Sequence, residues 1–578
     1  MIISEMKKRL FCLAALLLVP GWIFAQDRVV ERTYVSTDKD VYVAGEPVWY
    51  SAFCLDAAKG TYSPVSGIAY VELHASDALV STSKVALSDG RGAGRLQIPG
   101  TLPTGNYRLV VYTAQNKAEA GYDYTGIASK TISVFNVFSN ERVKDGVEVV
   151  DAQEYDKLIA EITPVKPGMT TDVMPGSDRA SLEVSWNGSS LVLHNPTGET
   201  ASLSLSVWHD DGFLPNANPT IADFVAGCRQ AGPRRFDDTV TPEYEGEIIR
   251  GHVAGASPED IAALAGRYAF ISTPSDKSDL YSSIIDKEGR VRFFTGNIYG
   301  NKECVCEIEG MDPTFTGFIE LESPFVGAKV SAVEPLKMSA SLREPLRSRS
   351  VAMQVEQKFT GDTLFELLPV KGNGLFGDQE IVYILDDYTR FPTMEEVFIE
   401  FVKEVRARRW GDRKRNIQVR LDDRTDHAFS RDTTLMMLDG VPVFDQQKIM
   451  DYDPLLVESI HIYPNITFIG SRSFEGIVNF VTYKHNLPAF KFGSNVRVID
   501  FQGVSWPMAA TGESLRKEEG YPDYRQTIYW HPLLELAPGQ TVEIPCKLPD
   551  YKGHFRVVAE GLTTGGKPLQ ATTSFTTE

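Results

Sequence analysis

LMMLDGVPVFDQQKIMDYDPLLVESIHIYPNITFIGSRSFEGIVNFVTYK, residues 435–484, carries a dense run of local signals. The apolar run LMML stops at Asp439-Gly440, a dipeptide suited to a tight turn because glycine tolerates positive φ. That run reads as a buried strand, and the Gln-rich segment after it is compatible with a short helix. Val457, Ser459 and His461 then alternate with Glu458, Ile460 and Ile462, the period of two expected of a second strand. GIVNFVTYK reads as a third strand, and Gly470-Ser471-Arg472 falls where the last two strands must be joined tightly.

In that order, these residues resemble the plug domain of TonB-dependent outer-membrane receptors. Such plugs run from an apolar strand through DGV, a short helix, an ESI-type strand, GSR, a small residue and GI/V to a final strand. The matching positions are Asp439, Gly440, Val441, Glu458, Ser459, Ile460, Gly470, Ser471, Arg472, Gly476 and Ile477. Upstream, FPTMEEVFIEFVKEVRAR followed by IQVRL resembles the helix and strand that open such plugs, which extends the resemblance over 378–487. A plug implies a barrel, and a transporter barrel takes about 22 strands of about 10 residues. The residues after 487 are too few for that and carry Pro507, Pro522, Pro532, Pro545 and Pro549. The expectation is a plug-like α+β unit in a chain without a transporter barrel of its own.

With 578 residues, 43% hydrophobic and 23% charged, the chain has the composition of several folded domains. Its formal net charge of −19 argues against a nucleic-acid binder, which needs a basic footprint. Lys7, Lys8 and Arg9 precede an apolar run from Leu10 to Val19, and Pro20, Gly21 and Ala25 follow, so 1–25 reads as a secretory signal peptide cleaved near Ala25-Gln26. No later segment offers about 18 uninterrupted apolar residues, so no membrane-spanning helix is expected after cleavage. Beyond the signal stand Cys54, Cys228, Cys304, Cys306 and Cys546, too few for a disulfide scaffold. Cys304 and Cys306 in ECVCEI would share one strand face as small apolar residues.

Outside the plug-like stretch the fold class reads as mainly β, with serial antiparallel sandwiches. In 26–136, TYVSTD, PVWYSAFCL, IAYVELH, LVSTSKVAL, AGRLQIP, NYRLVVYT and KTISVFN are short alternating runs separated by turn residues. TDKDVYVAGEPV and LPTGNYRLVVYT resemble the macroglobulin-like module of macroglobulin-family proteins, and Tyr107 sits where sandwiches place a corner tyrosine. Gly90, Gly92 and Gly94 suit a hairpin rather than a phosphate loop, because a strand follows them. Residues 137–245 read as a linker with a small β domain, and 246–335 as an Ig-like sandwich resembling the carboxypeptidase-regulatory kind. A linker at 336–377 and a final sandwich at 488–578 complete the division. LPDYKGHFRVVAEG in that last part echoes LPTGNYRLVVYT.

The cysteines sit in FCLD, GCRQ, ECVCE and PCKL, none of which fits the Cys-Gly-Glu-Gln thioester of a macroglobulin-type trap. Neither a Gly-x-Ser-x-Gly elbow nor a His-Glu-x-x-His pair is present. His209, Asp210 and Asp211 are adjacent rather than spaced to converge on a metal. The expectation is therefore a non-catalytic envelope protein, without cofactor or metal, that binds or scaffolds partners at the outer membrane. An outer-membrane barrel is one such partner, and the mature chain would reside in the periplasm, at the outer membrane or on the cell surface. Alternatives are a detached component regulating a TonB-dependent uptake barrel, or a thioester-free macroglobulin-like protease inhibitor or sensor. Turns at strand ends present polar groups, so Asp439, Gly440, Gly470, Ser471 and Arg472 are the expected partner contacts. Arg472 is favoured because a guanidinium pairs with a carboxylate in fixed geometry.

Overall fold

The computed structural model describes residues 29–577 apart from 77, 119–128, 163–181, 229–239, 276–278, 313, 328–329, 331–332, 360–364, 371–379, 411–413, 423–427, 432–433 and 511–521. The expected signal peptide at 1–25 and the first residues of the plug-like unit, including Asp378, lie outside the described residues.

The described chain is mainly β and largely antiparallel. In the first sandwich, Glu31–Thr37, Pro47–Asp56, Thr61–Tyr62 and Arg91–Gln97 make one sheet. Val41–Val43, Ser129–Phe135, Gly105–Tyr112, Ile68–His74 and Leu79–Ala86 make the other. Alternation along each strand sends Val35, Tyr50 and Ala52 from the first sheet against Val71, Leu109 and Ile132 from the second. Asp89 and Gly90 take φ of 49° and 73° in the hairpin turn, and a Cβ at Gly92 would stand 2.2 Å from the Ala86 carbonyl oxygen. The glycine-rich stretch therefore serves a turn and a close strand approach. Tyr107 is the corner tyrosine, its hydroxyl donating to the Pro103 carbonyl at 2.6 Å.

Glu31–Thr37 is buried on both faces. Its outer face meets a second sandwich through Ser36 and Ser204, 3.2 Å apart, and through Tyr34, whose hydroxyl donates to Glu560 at 2.9 Å.

That second sandwich corrects the expected boundaries. Ala201–His209 is hydrogen-bonded between Thr527–Leu536 and His554–Thr563, and Ser190–His194 pairs with Thr541–Pro545. The small β domain placed within 137–245 and the C-terminal sandwich placed at 488–578 therefore share their sheets and one core. Likewise Arg497–Gln502 is the fourth strand of a sheet made by Leu280–Ile284, Tyr268–Ser272 and Asn301–Ile308. The division at 488 thus falls ahead of a strand that belongs to the middle sandwich. The chain leaves two sandwiches unfinished, builds the α+β unit, and returns to complete both.

The linker at 336–377 is corrected too. Leu336–Met338 pairs in parallel with Val147–Val149, and Arg343–Phe359 is a helix. Leu342, Leu346, Arg349 and Met353 recur at helical spacing and face inward, Arg349 lying 3.5 Å from Glu46 and 3.4 Å from Asp211. The helix expected across 391–408 is short, Met394–Glu400, capped by Thr393. Val405–Trp410 forms a hairpin with Lys414–Val419 instead, because Val405 and Ala407 alternate inward with a period of two.

Candidate interaction surface

The α+β unit is a five-stranded sheet in the order Ile381–Ile384, Val457–Ile469, Arg472–Thr482, Leu435–Leu438, Val441–Pro442. Leu435–Leu438 runs parallel to Arg472–Thr482, and Val457–Ile469 antiparallel to it. Parallel neighbours need a crossover, and the helix Gln446–Met450 lies on it. One sheet face, with Met436, Leu438, Ile460, Val478 and Phe480, packs on that helix and on Met394–Glu400. Part of the other face, with Leu435, Met437, Phe474 and Ile477, packs on Phe270 and Leu280 of the middle sandwich.

Asp439 and Gly440 are not the exposed turn that the sequence suggests. Asp439 is fully buried, and its carboxylate accepts from the Thr482 amide at 2.6 Å, the Thr482 hydroxyl at 2.7 Å and the Leu487 amide at 2.8 Å. Gly440, at φ of 80°, donates its amide to the Asn479 side chain at 3.0 Å. These two residues close the core and are removed from any partner's reach.

Gly470 and Ser471 are exposed, forming the two-residue connection of the Val457–Ile469 and Arg472–Thr482 hairpin. Arg472 belongs to an internal contact. Its guanidinium grips Glu309 of the middle sandwich, with Nη2 at 2.7 Å and Nε at 3.1 Å, and it stands 4.9 Å from the Phe474 ring centroid. The expected partner contact is thus a clamp between two units of the same chain. A double-mutant cycle on Arg472→Ala and Glu309→Ala, read by thermal melting of the full chain, is expected to give a coupling of about 1 kcal/mol, since both side chains are partly exposed. Additive effects of the two substitutions would contradict the clamp.

The outer strand is another accessible part of the unit. Ile381–Ile384 pairs with Val457–Ile469 on one side, and among the described residues no strand pairs with its other side. Ile381 and Tyr383 pack into the core, whereas Val382 and Ile384 are 45% and 49% exposed. Beside them, Ser459 Oγ lies 2.8 Å from His461 Nε2, and His461 Nδ1 lies 2.5 Å from Glu380 Oε1, which also accepts from the Tyr463 hydroxyl. Burial acts to raise the Glu380 carboxyl, but the hydrogen bonds from Tyr463 and His461 outweigh it and hold it below the usual range. Sequence reasoning missed this chain of side chains because Glu380 is distant in sequence. The Ser459-x-His461-x-Tyr463 alternation was the signal for its other members.

The order Ser–His–Glu is that of a nucleophile, its base and an orienting acid. Ser459, however, sits on a strand paired on both sides, so the backbone amides around it run along the ladder instead of converging on a bound carbonyl. The arrangement is a polar patch beside an apolar edge.

Cys54, Cys228, Cys304, Cys306 and Cys546 are buried free thiols, and burial pushes Cys304 and Cys546 up to about 12. Cys304 and Cys306 both face the core of the middle sandwich. Among the described residues, no group of three or more His, Cys, Asp or Glu side chains is arranged to hold a metal ion, and no helix is long and apolar enough to cross a membrane.

Neither a protein-family model nor a curated protein matches the sequence. Among solved structures, the chain is similar to Salmonella alpha-2-macroglobulin reacted with methylamine, at 9% identity and a TM-score of 0.22, over 94% of this chain and 39% of that one. It is similar to the native conformation of Escherichia coli alpha-2-macroglobulin at 8% identity and a TM-score of 0.22, over 96% and 40% of the two chains. An Escherichia coli adhesin is matched at 13% identity and a TM-score of 0.14, over 51% of this chain and 65% of that one. The chain spans about two fifths of the length of the macroglobulins.

Proposed function

We propose that this chain is a non-catalytic binding or scaffold protein of a Gram-negative envelope, exported by its N-terminal signal, whose α+β unit engages an outer-membrane β-barrel protein. The observation that carries the reading is the outer strand Ile381–Ile384, with Val382 and Ile384 turned outward beside the Ser459–His461–Glu380 patch. Such an edge offers backbone hydrogen bonds to an added strand and apolar contacts to its side chains. The plug-like succession of strands in 435–482 supports a barrel as the partner's class. The test is affinity capture from detergent-solubilised envelopes with the full exported chain and with a Val382→Lys/Ile384→Lys variant. The expected result is a β-barrel protein recovered by the wild type and reduced at least about tenfold by the variant, with melting midpoints within about 2 °C. Equal recovery by both, or recovery of no barrel protein, contradicts the proposal.

A further inference from the structure

A cleft of about 710 Å³ lies between the middle sandwich and the helix-bearing side of the α+β unit, a volume within the range of small-ligand sites. The strand Asn301–Ile308 forms one wall. Cys304, Cys306 and Ile308 face the sandwich core, whereas Val305, on the opposite face, enters the core of the α+β unit. Glu307 follows Val305 by one strand period, on that same face, and opens into the cleft. Phe444, Phe490 and Phe492 line the same cleft. Phe490 and Phe492 meet edge to face with centroids 5.3 Å apart, and Phe444 lies 5.2 Å from Phe270, the cross-strand neighbour of Glu307.

The Glu307 carboxylate has no hydrogen-bond or ion-pair partner among the described residues. Burial pushes its pKa up to about 8, with the Lys448 ammonium acting in the opposite direction. Lys448 is held elsewhere: it donates to the Lys491 carbonyl at 3.0 Å and stands 5.6 Å from the Phe490 ring. The remaining charged groups on the walls are Asp312, Arg431 and Asp445, the last of which accepts from the Gln447 amide at 3.2 Å as a helix cap. Glu307 is half-buried, and an unpaired carboxylate only partly open to water gains from a cation that meets it there. Aromatic faces attract cations, so an ammonium group on an apolar stem satisfies the acid and the rings together. A bare metal ion would need several oxygen ligands, which one carboxylate does not provide.

We infer that this cleft binds an organic cation, a primary ammonium or guanidinium on an apolar stem such as a basic peptide side chain presents, with Glu307 as its counter-charge and Phe444, Phe490 and Phe492 against the stem. Burial raises the Glu307 carboxyl in the empty site, so a bound cation favours the ionised form and releases a proton wherever the empty acid is protonated. Affinity then rises with pH, by up to about tenfold per unit, and levels off near the pKa of the empty site.

The test is calorimetric titration of the full chain with 2-phenylethylamine and with its neutral counterpart 2-phenylethanol, between about pH 6 and about pH 8. The expected result is a preference for the amine of at least about tenfold at the upper pH, shrinking toward the lower, and its loss together with the pH dependence in Glu307→Gln. A melting curve within about 2 °C of wild type at the lower pH shows that the variant is folded. If the variant does not fold, the wild-type amine preference and its pH profile decide alone. Equal affinity for amine and alcohol, a pH-independent amine affinity, an amine preference retained in a folded Glu307→Gln, or no binding of either compound overturns the inference.

Discussion

Asp439→Ala is expected to lower the first melting transition of the full chain by about 10 °C, corresponding to about 3–4 kcal/mol. The substitution removes the acceptor of three hydrogen bonds in a fully buried position and leaves the Thr482 and Leu487 amides without partners. Each such buried amide costs about 1–3 kcal/mol. The backbone adds to this, since Asp439 sits at φ of 48°, a conformation that alanine tolerates less well. The loop that Asp439 holds is itself strained, with His485, Leu487 and Ala489 at φ of 49°, 51° and 60°. Without its anchor at the Leu487 amide, that loop should release, and Leu487 should leave the core. Asp439→Asn keeps one carbonyl acceptor and a residue that accepts left-handed backbone, so it should lose about half as much. Differential scanning calorimetry of the three proteins checks the order. An Asp439→Ala protein melting within about 2 °C of wild type would show that the carboxylate holds nothing together.

Lys84→Met should cost about 3–5 kcal/mol, because it leaves the Glu247 carboxylate buried without its partner. Lys84 reaches from the first sandwich to donate to both Glu247 oxygens at 2.7 and 2.8 Å, with the two side chains only 2% and 5% exposed. Its ammonium also stands 4.3 Å from the ring of Phe501, on the strand that completes the middle sandwich. The pair therefore joins two units in a place closed to water. Lys84→Met/Glu247→Gln should recover most of the loss, since removing both charges removes the uncompensated one. The pH dependence has a definite sign. Burial raises the Glu247 pKa above its unfolded value, with Lys84 opposing. For a carboxyl raised in this way, the favourable contribution is complete below the unfolded pKa and is lost as pH rises through the folded one. In Lys84→Met the opposing charge is gone, so the deficit should widen over the interval from the unfolded carboxyl range up to neutrality. A deficit that stays constant over that interval would exclude an ionised Glu247 as its origin.

Much of this molecule is local, and the local part is legible in the sequence. The alternation in PVWYSAFCL, IAYVELH and NYRLVVYT reports strands with one face toward a core, and the structure has Pro47–Asp56, Ile68–His74 and Gly105–Tyr112 there. Asp89, Gly90 and Gly470 report turns through backbone conformations that few residues adopt. Cys304 and Cys306 report a shared strand face through their spacing, and both enter the same core.

What the sequence could not disclose is which strand lies beside which. Ala201 pairs with Leu536 and Asn301 with Gln502, and nothing in either member of such a pair names the other. A strand's pattern states that one face is buried but not by what, so sandwiches begun early and closed late read as separate domains. The same limit governed the candidate site. Asp439-Gly440 has the composition of a surface turn, and its burial follows from Thr482 and Leu487 closing over it. Arg472 has the chemistry of a partner contact, and the partner proved to be Glu309 of the same chain. Glu380 came beside His461, and Glu307 into one cleft with Phe490, only through packing between segments far apart in the chain. Periodicity and turn chemistry act over a few residues and so are written in the sequence. Pairing and docking depend on the summed burial and electrostatics of distant segments, and only the folded chain decides them.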